Sequence, residues 1–356
     1  MFTPDSLSEF PQPHRRRDWL RRAAASALLL GVGIPASKGI AAPAVFEWKV
    51  ITEEGRDYVR LEEIKKFYSF PNLQRDGRNS WLRSRTMVMK FSSGAEDIFI
   101  NNVKFCLSFP IIEKGGFLLV SRVDLAKLLD PILRPTYIRK EGQAFDTVVL
   151  DAGHGGHDSG AVGPFGAEKV YTLDTVFRLE KKLKALGYKT VLTRRTDEFI
   201  ALGERAAVAN RTPNCIFVSI HFNSFGRGGS SAIGLETFAL APQGTPTTYD
   251  QLKSTDMNNR RGNVRDSENI ALATAVHSNT LFRLRSVDRG VKRARYSVIS
   301  GIEKPGILVE GGFVSNHTEG ARIHRPEFRE TLAESICGGI GNYRKAVMKV
   351  APRSKS

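Results

Sequence analysis

Cysteine is scarce in this 356-residue sequence, which contains only Cys106, Cys215 and Cys337. The three are odd in number, far apart and set among apolar residues, and no Cys-x-x-Cys pair occurs. This pattern argues against a disulfide framework and against a cysteine-ligated zinc or haem site. We therefore expect three buried thiols.

The sequence also lacks an apolar stretch long enough for a stable transmembrane span. Ala23–Ile34 is apolar over only twelve residues, whereas a membrane-spanning helix needs about 20. It follows the basic segment "RRRDWLRR" and precedes the small residues of "KGIAAP", which is the three-part order of a signal peptide. We expect residues 1–42 to be an export signal.

The basic segment itself suggests a route. Arg16–Arg17 followed by Trp19 and Leu20 resembles the twin-arginine export pattern, which predicts delivery to the periplasm or cell envelope and cleavage in the Ala41–Ala42 region. The alternative is a basic amphipathic helix that lies on a membrane surface.

Acidic residues are too few to balance the basic ones. The 53 Lys and Arg exceed the 37 Asp and Glu, which gives a formal net charge of +16. Such an excess favours an anionic partner: nucleic acid, anionic lipid or an acidic cell-wall polymer. The sequence contains no zinc-finger spacing, RRM-type aromatic motif or dense Lys/Arg block, so we predict no nucleic-acid partner.

The length predicts two folded parts. Residues 46–133 alternate short strands with two short helices, and "DIFINNVKFCLSF" predicts a hairpin that turns at Asn101–Asn102. This small α+β module has no convergent His, Cys or carboxylate cluster, which suggests a binding or packing role. It loosely resembles the N-terminal domain type of copper amine oxidases. The polar residues 134–146, with Pro135 and Gly142, predict a linker.

From residue 147 to 346 the pattern repeats strand, loop and helix. It predicts an α/β fold whose largely parallel sheet is flanked by helices and binds ligands at the carboxyl ends of its strands. The predicted strands are "TVVL", "KTVLTR", "CIFVSIHFN", "GLETFALA" and "GILVEGGF". Residues 347–356 are expected to be a disordered tail.

Chemistry-bearing side chains follow three of these strands. His154 lies in the glycine-rich stretch "VVLDAGHGGHDSGAV", His221 in "VSIHFNS" and Glu310 in "ILVEGGF". Two histidines and a carboxylate form a suitable zinc site with a fourth position open for water. This region contains no GxxxxGK or GxGxxG pattern, so the glycine-rich stretch is not predicted to be a phosphate-binding loop.

The third ligand has four candidates: Asp151, Glu168, Glu236 and Glu310. We select Glu168 because it begins a helix directly after the glycine-rich loop, which can fold back and bring it beside His154. Glu310 then remains near the metal without binding it, as a base that takes a proton from water and passes it on.

Three blocks carry a family resemblance: "LDAGHGGHDSGAVGPFGAEK", "VSIHFNS" and "LVEGGFVSN". Over residues 147–346 they resemble the zinc-dependent N-acetylmuramoyl-L-alanine amidases of the Amidase_3 type. The resemblance implies zinc ligands at His154, Glu168 and His221, a catalytic Glu310, and hydrolysis of the amide between N-acetylmuramic acid and the stem peptide of peptidoglycan. Three further side chains are expected to lie next to the ligands without binding the metal: Asp151, Asn223 and Glu236.

Other polar residues receive plainer interpretations. His157 is predicted to face solvent. Ser159 is not expected to be a nucleophile, because side chains adjacent in sequence rarely point at one centre and no GxSxG elbow exists. Surface or capping roles are expected for His277, His317 and His324. Glu236 is either near the metal or bonded to backbone amides. The polar insert Pro242–Asp266 is expected to be a loop near the cleft that does not plug it.

Two further functions stay open on the sequence alone. The same metal site would serve a zinc carboxypeptidase or endopeptidase that acts within the stem peptide. A non-catalytic wall-binding protein would be marked by loss of a ligand or of the glutamate, and all four residues are present. The sequence does not identify an activator protein.

Overall fold

The computed structural model describes residues 46–138, 145–225 and 231–348. The predicted export signal, residues 139–144 of the predicted linker and residues 349–356 of the predicted tail lie outside these residues. Among the helices of the described ranges, none combines the length and the apolar character that crossing a membrane requires.

The N-terminal half, residues 46–138, consists of short strands, two longer helical segments and a final 3-10 turn at Pro135–Tyr137. Asn101 and Asn102 both adopt the left-handed conformation, with φ of 49° and 66°, and form the predicted hairpin turn between β6 and β7. The second helical segment begins at Ser121, whose hydroxyl caps it by accepting from the Asp124 N–H. The elements are β1 Ile51–Glu53, β2 Arg56–Arg60, α1 Leu61–Phe67, β3 Asn72–Asp76, β4 Asn79–Arg83, β5 Val88–Ser92, β6 Asp97–Ile100, β7 Val103–Cys106, β8 Ile112–Lys114, β9 Phe117–Ser121, and α2 Arg122–Asp124 continued by a π-helical turn Leu125–Leu129 and α3 Asp130–Leu133.

Strict alternation gives strands β4 to β7 two unlike faces. Leu82, Met89, Ile98 and Phe105 are fully buried in one core with α1 and the 125–132 segment. The residues between them point to the opposite side and are only partly buried. This half therefore covers one sheet face with helices and leaves the other accessible.

The C-terminal half alternates strands and helices as predicted. Gly187, with φ of +83°, follows the end of α4, and Pro326 is the first residue of α9. The elements are β10 Thr147–Ala152, β11 Val162–Gly163, β12 Gly166–Ala167, α4 Glu168–Ala185, β13 Lys189–Leu192, α5 Leu202–Arg211, β14 Cys215–Asn223, β15 Leu235–Leu240, α6 Asp266–Leu284, β16 Asp288–Ala294, α7 Ser297–Ser300, β17 Gly306–Phe313, α8 His317–His324 and α9 Pro326–Val347.

The predicted α/β fold is confirmed, although the sheet is mixed. In the C-terminal half β13, β10, β14 and β17 are parallel neighbours, and β15 is antiparallel to β17 but parallel to β16. Helices α4, α6 and α9 pack on one face, and α5 and α7 cover part of the other. Strand β16 was not predicted from the sequence.

One sheet passes through both halves, because β16 also pairs with β7 of the N-terminal half through Val291 and Phe105. Close to this contact, the Arg293 guanidinium donates to the Ser108 hydroxyl at 2.7 Å and to the Asp124 carboxylate at 3.2 Å. Arg293 and Asp124 are 2 % and 0 % exposed. The division at residues 134–146 stays a prediction, and the sheet crosses it.

Two expectations need correction. His277 is fully buried, with Nδ1 3.0 Å from the Thr237 hydroxyl and Nε2 2.9 Å from Asp288, since α6 packs this face against the sheet. In the insert 242–266, Arg265 bonds the Glu303 carbonyl beside the start of β17. Glu310 is the fifth of the eight residues of β17, so the second part of the insert lies near the amino end of that strand rather than beside Glu310.

Candidate metal centre

The glycine-rich loop that follows β10 brings His154 over the sheet. His154 is in the left-handed conformation, with φ of +63°, which is uncommon for a residue with a Cβ. The preceding Gly153 is required by close approach, because a Cβ there would lie 2.3 Å from Cε1 of His221. The two imidazoles therefore meet across a position where no side chain fits, with ring centroids 4.9 Å apart.

Buried cations hold this loop in place. The Arg205 guanidinium donates to the carbonyls of Ala152 and His154 at 2.7 and 2.8 Å. Arg194 donates to the Gly153 carbonyl at 2.9 Å. Both arginines are 2 % exposed. Sequence reasoning missed them, because nothing in "TRRTDE" or "GERAAVAN" shows that these arginines point inward.

Glu168 reaches the site from the first residue of α4. Its carboxylate is 4 % exposed and accepts from the backbone N–H groups of Ala161 and Phe222, both at 2.9 Å. Gly160, with φ of +62°, allows the loop to fold back, since a Cβ there would lie 2.6 Å from Oε2 of Glu168. This is the fold-back that the sequence predicts.

Three donor groups converge at this point. Nε2 of His154 lies 3.1 Å from one Glu168 oxygen, and Nδ1 of His221 lies 3.0 Å from the other. One ligand atom from each residue falls within 4.8 Å of the other two. Asp158 contacts Nδ1 of His154 at 2.8 Å, which orients the ring and leaves Nε2 toward the site. The donor set fits a divalent metal of the zinc type.

The carboxylate and the histidine shift each other's titration. Burial raises the pKa of Glu168, but hydrogen bonds to His154 and His221 outweigh it and hold the pKa far below its usual range. Burial lowers the pKa of His154, but the bonds and charges of Glu168 and Asp158 outweigh it and raise the pKa. Glu168 is therefore ionised and ready to balance a cation.

Glu310 stands beside this cluster. It is the register partner of His221 across β14 and β17, and it is 9 % exposed. Its Oε2 is buried and has no hydrogen-bond partner in the described part of the chain. Burial, together with the charges of Glu168 and Glu236, raises its pKa well above the usual range. It is a carboxylate with a free oxygen and a high affinity for a proton.

Comparison with known proteins decides the family. The family described as N-acetylmuramoyl-L-alanine amidase matches residues 148–342, more than half of the chain. The chain belongs to this amidase family. It is therefore a hydrolase that acts on amide bonds.

The relatives of this amidase include both characterised and uncharacterised proteins. The chain is 36 % identical to "Uncharacterized protein YqiI" of Bacillus subtilis over 55 % of its own length and 84 % of that protein. It is 32 % identical to "N-acetylmuramoyl-L-alanine amidase AmiC" of Neisseria meningitidis over 55 % of its own length, and it spans 52 % of that relative. The solved catalytic domain of the amidase CwlV from Bacillus (Paenibacillus) polymyxa is 32 % identical, covers 56 % of this chain and 98 % of its own, and superposes with a TM-score of 0.46.

Glu236 of the amidase is not at the metal position. It pairs with Glu310 in the register of β15 and β17, and it binds Arg289 and Lys292, both at 2.7 Å, as well as Asn223 at 2.9 Å. The expectation of backbone amide partners is wrong, because three side chains supply its bonds. Burial raises the pKa of Glu236, but its bonds to Lys292 and Arg289 outweigh it and lower the pKa.

Asp151 of the amidase supports the loop rather than the metal. It is fully buried and accepts from Thr193, Arg205 and Ser219 at 2.7, 2.8 and 2.6 Å. Since Arg205 also holds the His154 carbonyl, Asp151 acts on the loop through that guanidinium. His157 is exposed, as predicted, and its ring lies 4.2 Å from that of Phe199.

Proposed function

We propose that the chain is a zinc-dependent N-acetylmuramoyl-L-alanine amidase that cleaves the bond between the lactyl group of N-acetylmuramic acid and the L-alanine of the stem peptide. The observation that supports this most is the convergence of His154, Glu168 and His221 beside a buried Glu310 with an unpartnered oxygen. The family match supports the bond type, and peptidoglycan is the substrate that the family's description implies.

In this proposal His154 Nε2, His221 Nδ1 and the Glu168 carboxylate hold the ion. Zinc, when bound, supplies Lewis acidity that activates water near neutral pH and polarises a carbonyl. Asp158 keeps the His154 ring oriented, and the ionised Glu168 offsets the positive charge. Backbone N–H groups of Ala161 and Phe222 fix both oxygens of Glu168, so the donors are preorganised.

Glu310 moves the proton. Its free Oε2 accepts a proton from the attacking water as the C–O bond forms at the scissile carbonyl. The raised pKa strengthens that acceptance, and the same proton then passes to the nitrogen of the departing L-alanine as the C–N bond breaks. The products are a muramic acid carboxylate and a free stem-peptide amine.

We also propose that the chain is exported to the periplasm or cell envelope, by the twin-arginine route that the sequence of residues 1–42 suggests. A relative from Bacillus anthracis that is named a cell wall amidase supports a place of action at the wall. The pattern Arg16–Arg17 supports the route. Replacing both residues with lysine and following a fused reporter across the inner membrane tests it; unchanged export would argue for another pathway.

Product analysis distinguishes the amidase from a carboxypeptidase or endopeptidase. Purified sacculi are digested with the wild-type chain, and soluble products are separated and identified by mass. Intact stem peptides with a free L-alanine amine support the amidase. Release of D-alanine or cleavage of cross-links without loss of stem peptides from the glycan would contradict it.

The metal is tested on the same preparations. Metal content of the wild type is compared with that of His154→Ala and His221→Ala, and we expect about one zinc per chain to be lost in each variant. His317→Ala is the matched control, because His317 is exposed at the start of α8. Full zinc content in both ligand variants would place the metal elsewhere.

A further inference from the structure

The accessible face of the N-terminal sheet is continuous with the face that bears Glu310. Strand pairing runs without a break from β17 through β15, β16, β7, β6 and β5 to β4. At about 4.8 Å per strand, these six steps span about 29 Å. The sheet twists, so this face turns gradually around the molecule rather than lying flat.

One cross-strand row of this face alternates rings and cations. Trp81 is the register partner of Lys90, Lys90 of Phe99, and Phe99 of Lys104. All four are half-buried, whereas their sequence neighbours Leu82, Met89, Ile98 and Phe105 form the core on the other side.

The row continues to the catalytic glutamate. Tyr249 of the insert lies between two cations, with its ring centroid 5.8 Å from Nζ of Lys104 and 5.5 Å from Nζ of Lys292. Lys292 in turn bonds Glu236, the register partner of Glu310. We call this row the sheet strip; its members are Trp81, Lys90, Phe99, Lys104, Tyr249 and Lys292.

We propose that the sheet strip binds a peptidoglycan strand and guides it from the N-terminal half into the metal centre. This inference rests on the proposed function and extends it to a second region of the chain. The chemistry of the strip matches that polymer. Flat aromatic faces accept the C–H faces of sugar rings, and the Lys90 ammonium group attracts a carboxylate of a stem peptide. Lys104 and Lys292 are already bonded to Asp97 and Glu236, so they hold the Tyr249 ring in the strip rather than a substrate carboxylate.

Other occupants fit less well. A second copy of this basic chain would bring lysines against lysines, because the net charge is +16. The strip also ends at the proposed catalytic glutamate, where the substrate itself has to lie. Continuity with that site and charge complementarity therefore both favour the substrate polymer.

The experiment compares a polymer with a fragment. Wild-type chain, Trp81→Ala and Lys90→Glu are assayed on sacculi and on a soluble muramoyl-tripeptide, which is too short to reach β4. We expect each variant to lower the polymer-to-fragment ratio of kcat/KM by about tenfold, mainly through KM on sacculi. Phe177→Ala and Lys181→Glu on α4 are matched controls that remove the same chemistry from the helix-covered side.

A binding assay separates this inference from the proposed function. Sedimentation with sacculi is measured for Glu310→Gln with and without Trp81→Ala, so that binding is measured without turnover. Weaker sedimentation of the double variant supports the strip. Unchanged sedimentation, an unchanged ratio, or equal losses on polymer and fragment would overturn it. A wild-type chain that binds through the strip but cleaves neither substrate would instead overturn the proposed function.

Discussion

The two halves of the sheet solve the problem of polar residues in opposite ways. In the N-terminal half, strands β4 to β7 alternate, with apolar side chains in the core and polar ones toward solvent. In the C-terminal half, charged groups such as Asp151, Glu168 and Arg205 are buried at 0, 4 and 2 % exposure. Each of these is paired or hydrogen-bonded, which is what makes its burial tolerable. The C-terminal half therefore accepts the cost of burying charged groups where they hold the candidate metal centre.

Of the substitutions that contrast the two halves, Glu310→Gln is expected to have the largest effect on activity. Loss of a general base lowers kcat by about 10² to 10⁴-fold. Zinc content is expected to stay at the wild-type level, because Glu310 is not among the three converging donors. Release of stem peptides from sacculi is the measurement, with the half-exposed Glu303→Gln as control. Near-normal turnover in Glu310→Gln would remove it from the mechanism.

The connection between the halves is tested by Arg293→Met. This change leaves Asp124 buried without its cation, which is expected to cost about 3 kcal/mol of unfolding free energy. Arg283→Met, which breaks an ion pair with Glu334 whose side chains are 42 % and 51 % exposed, is expected to cost less than about 1 kcal/mol. Urea unfolding measures both. Equal costs would show that the buried pair does not hold the halves together.

Gly160 and Gly187 both adopt the left-handed conformation, but Gly160 lies at the candidate metal centre and Gly187 follows the end of α4. Gly160→Ala places a methyl group against His154 and Glu168, and metal affinity is expected to fall by about 10 to 100-fold, as when groups that support ligands are disturbed. At Gly187, with φ of +83°, a Cβ would meet nothing within 4 Å. Gly187→Ala is expected to cost about 1 kcal/mol of stability. A zinc titration that found both variants alike would contradict this.

The smallest effect concerns pH. Because the pKa of His154 is raised, its proton competes with a metal at higher pH than in an ordinary histidine. Metal affinity is expected to fall by about tenfold per pH unit below that pKa. The metal-free protein has the opposite sign: the charged ring stabilises it below the unfolded pKa, and this contribution is lost as pH rises through the folded pKa. Zinc titrations between pH 5 and 8 check it, because this range spans the ordinary histidine pKa and the region above it. Asp158→Asn is expected to move the fall in affinity to lower pH.

Much of the site was predictable because the strands end in recognisable motifs. The apolar runs before His154 and His221 and around Glu310 predict parallel strands, whose carboxyl ends meet at one edge. The fold-back of Glu168 followed from the glycines of the loop. The structure brings these residues together as expected. Their metal and catalytic roles stay predictions until the metal and turnover are measured.

Strand β16 could not be predicted because its sequence "DRGVKRA" looks like a solvated loop. Asp288, Arg289, Lys292 and Arg293 are four charges in seven residues. Their partners are distant in sequence: Arg289 and Lys292 share Glu236, Arg293 binds Asp124, and Asp288 is hydrogen-bonded to His277 and to the Lys104 N–H. The local sequence pattern does not show such pairs. These tertiary contacts allow a segment whose residues have low strand propensity to form a strand. The same reasoning explains why His277, bonded to Asp288, was expected at the surface.

The junction of β16 with β7 has a practical consequence for anyone who wishes to produce the C-terminal half alone. Cutting the chain at residues 139–144 would leave β16 as an open edge strand with unpaired N–H and C=O groups, and such edges recruit other chains. Arg293 would also lose Ser108 and Asp124. A truncated preparation is therefore expected to form oligomers through this edge. The predicted linker is thus an unsuitable place to divide the chain for expression.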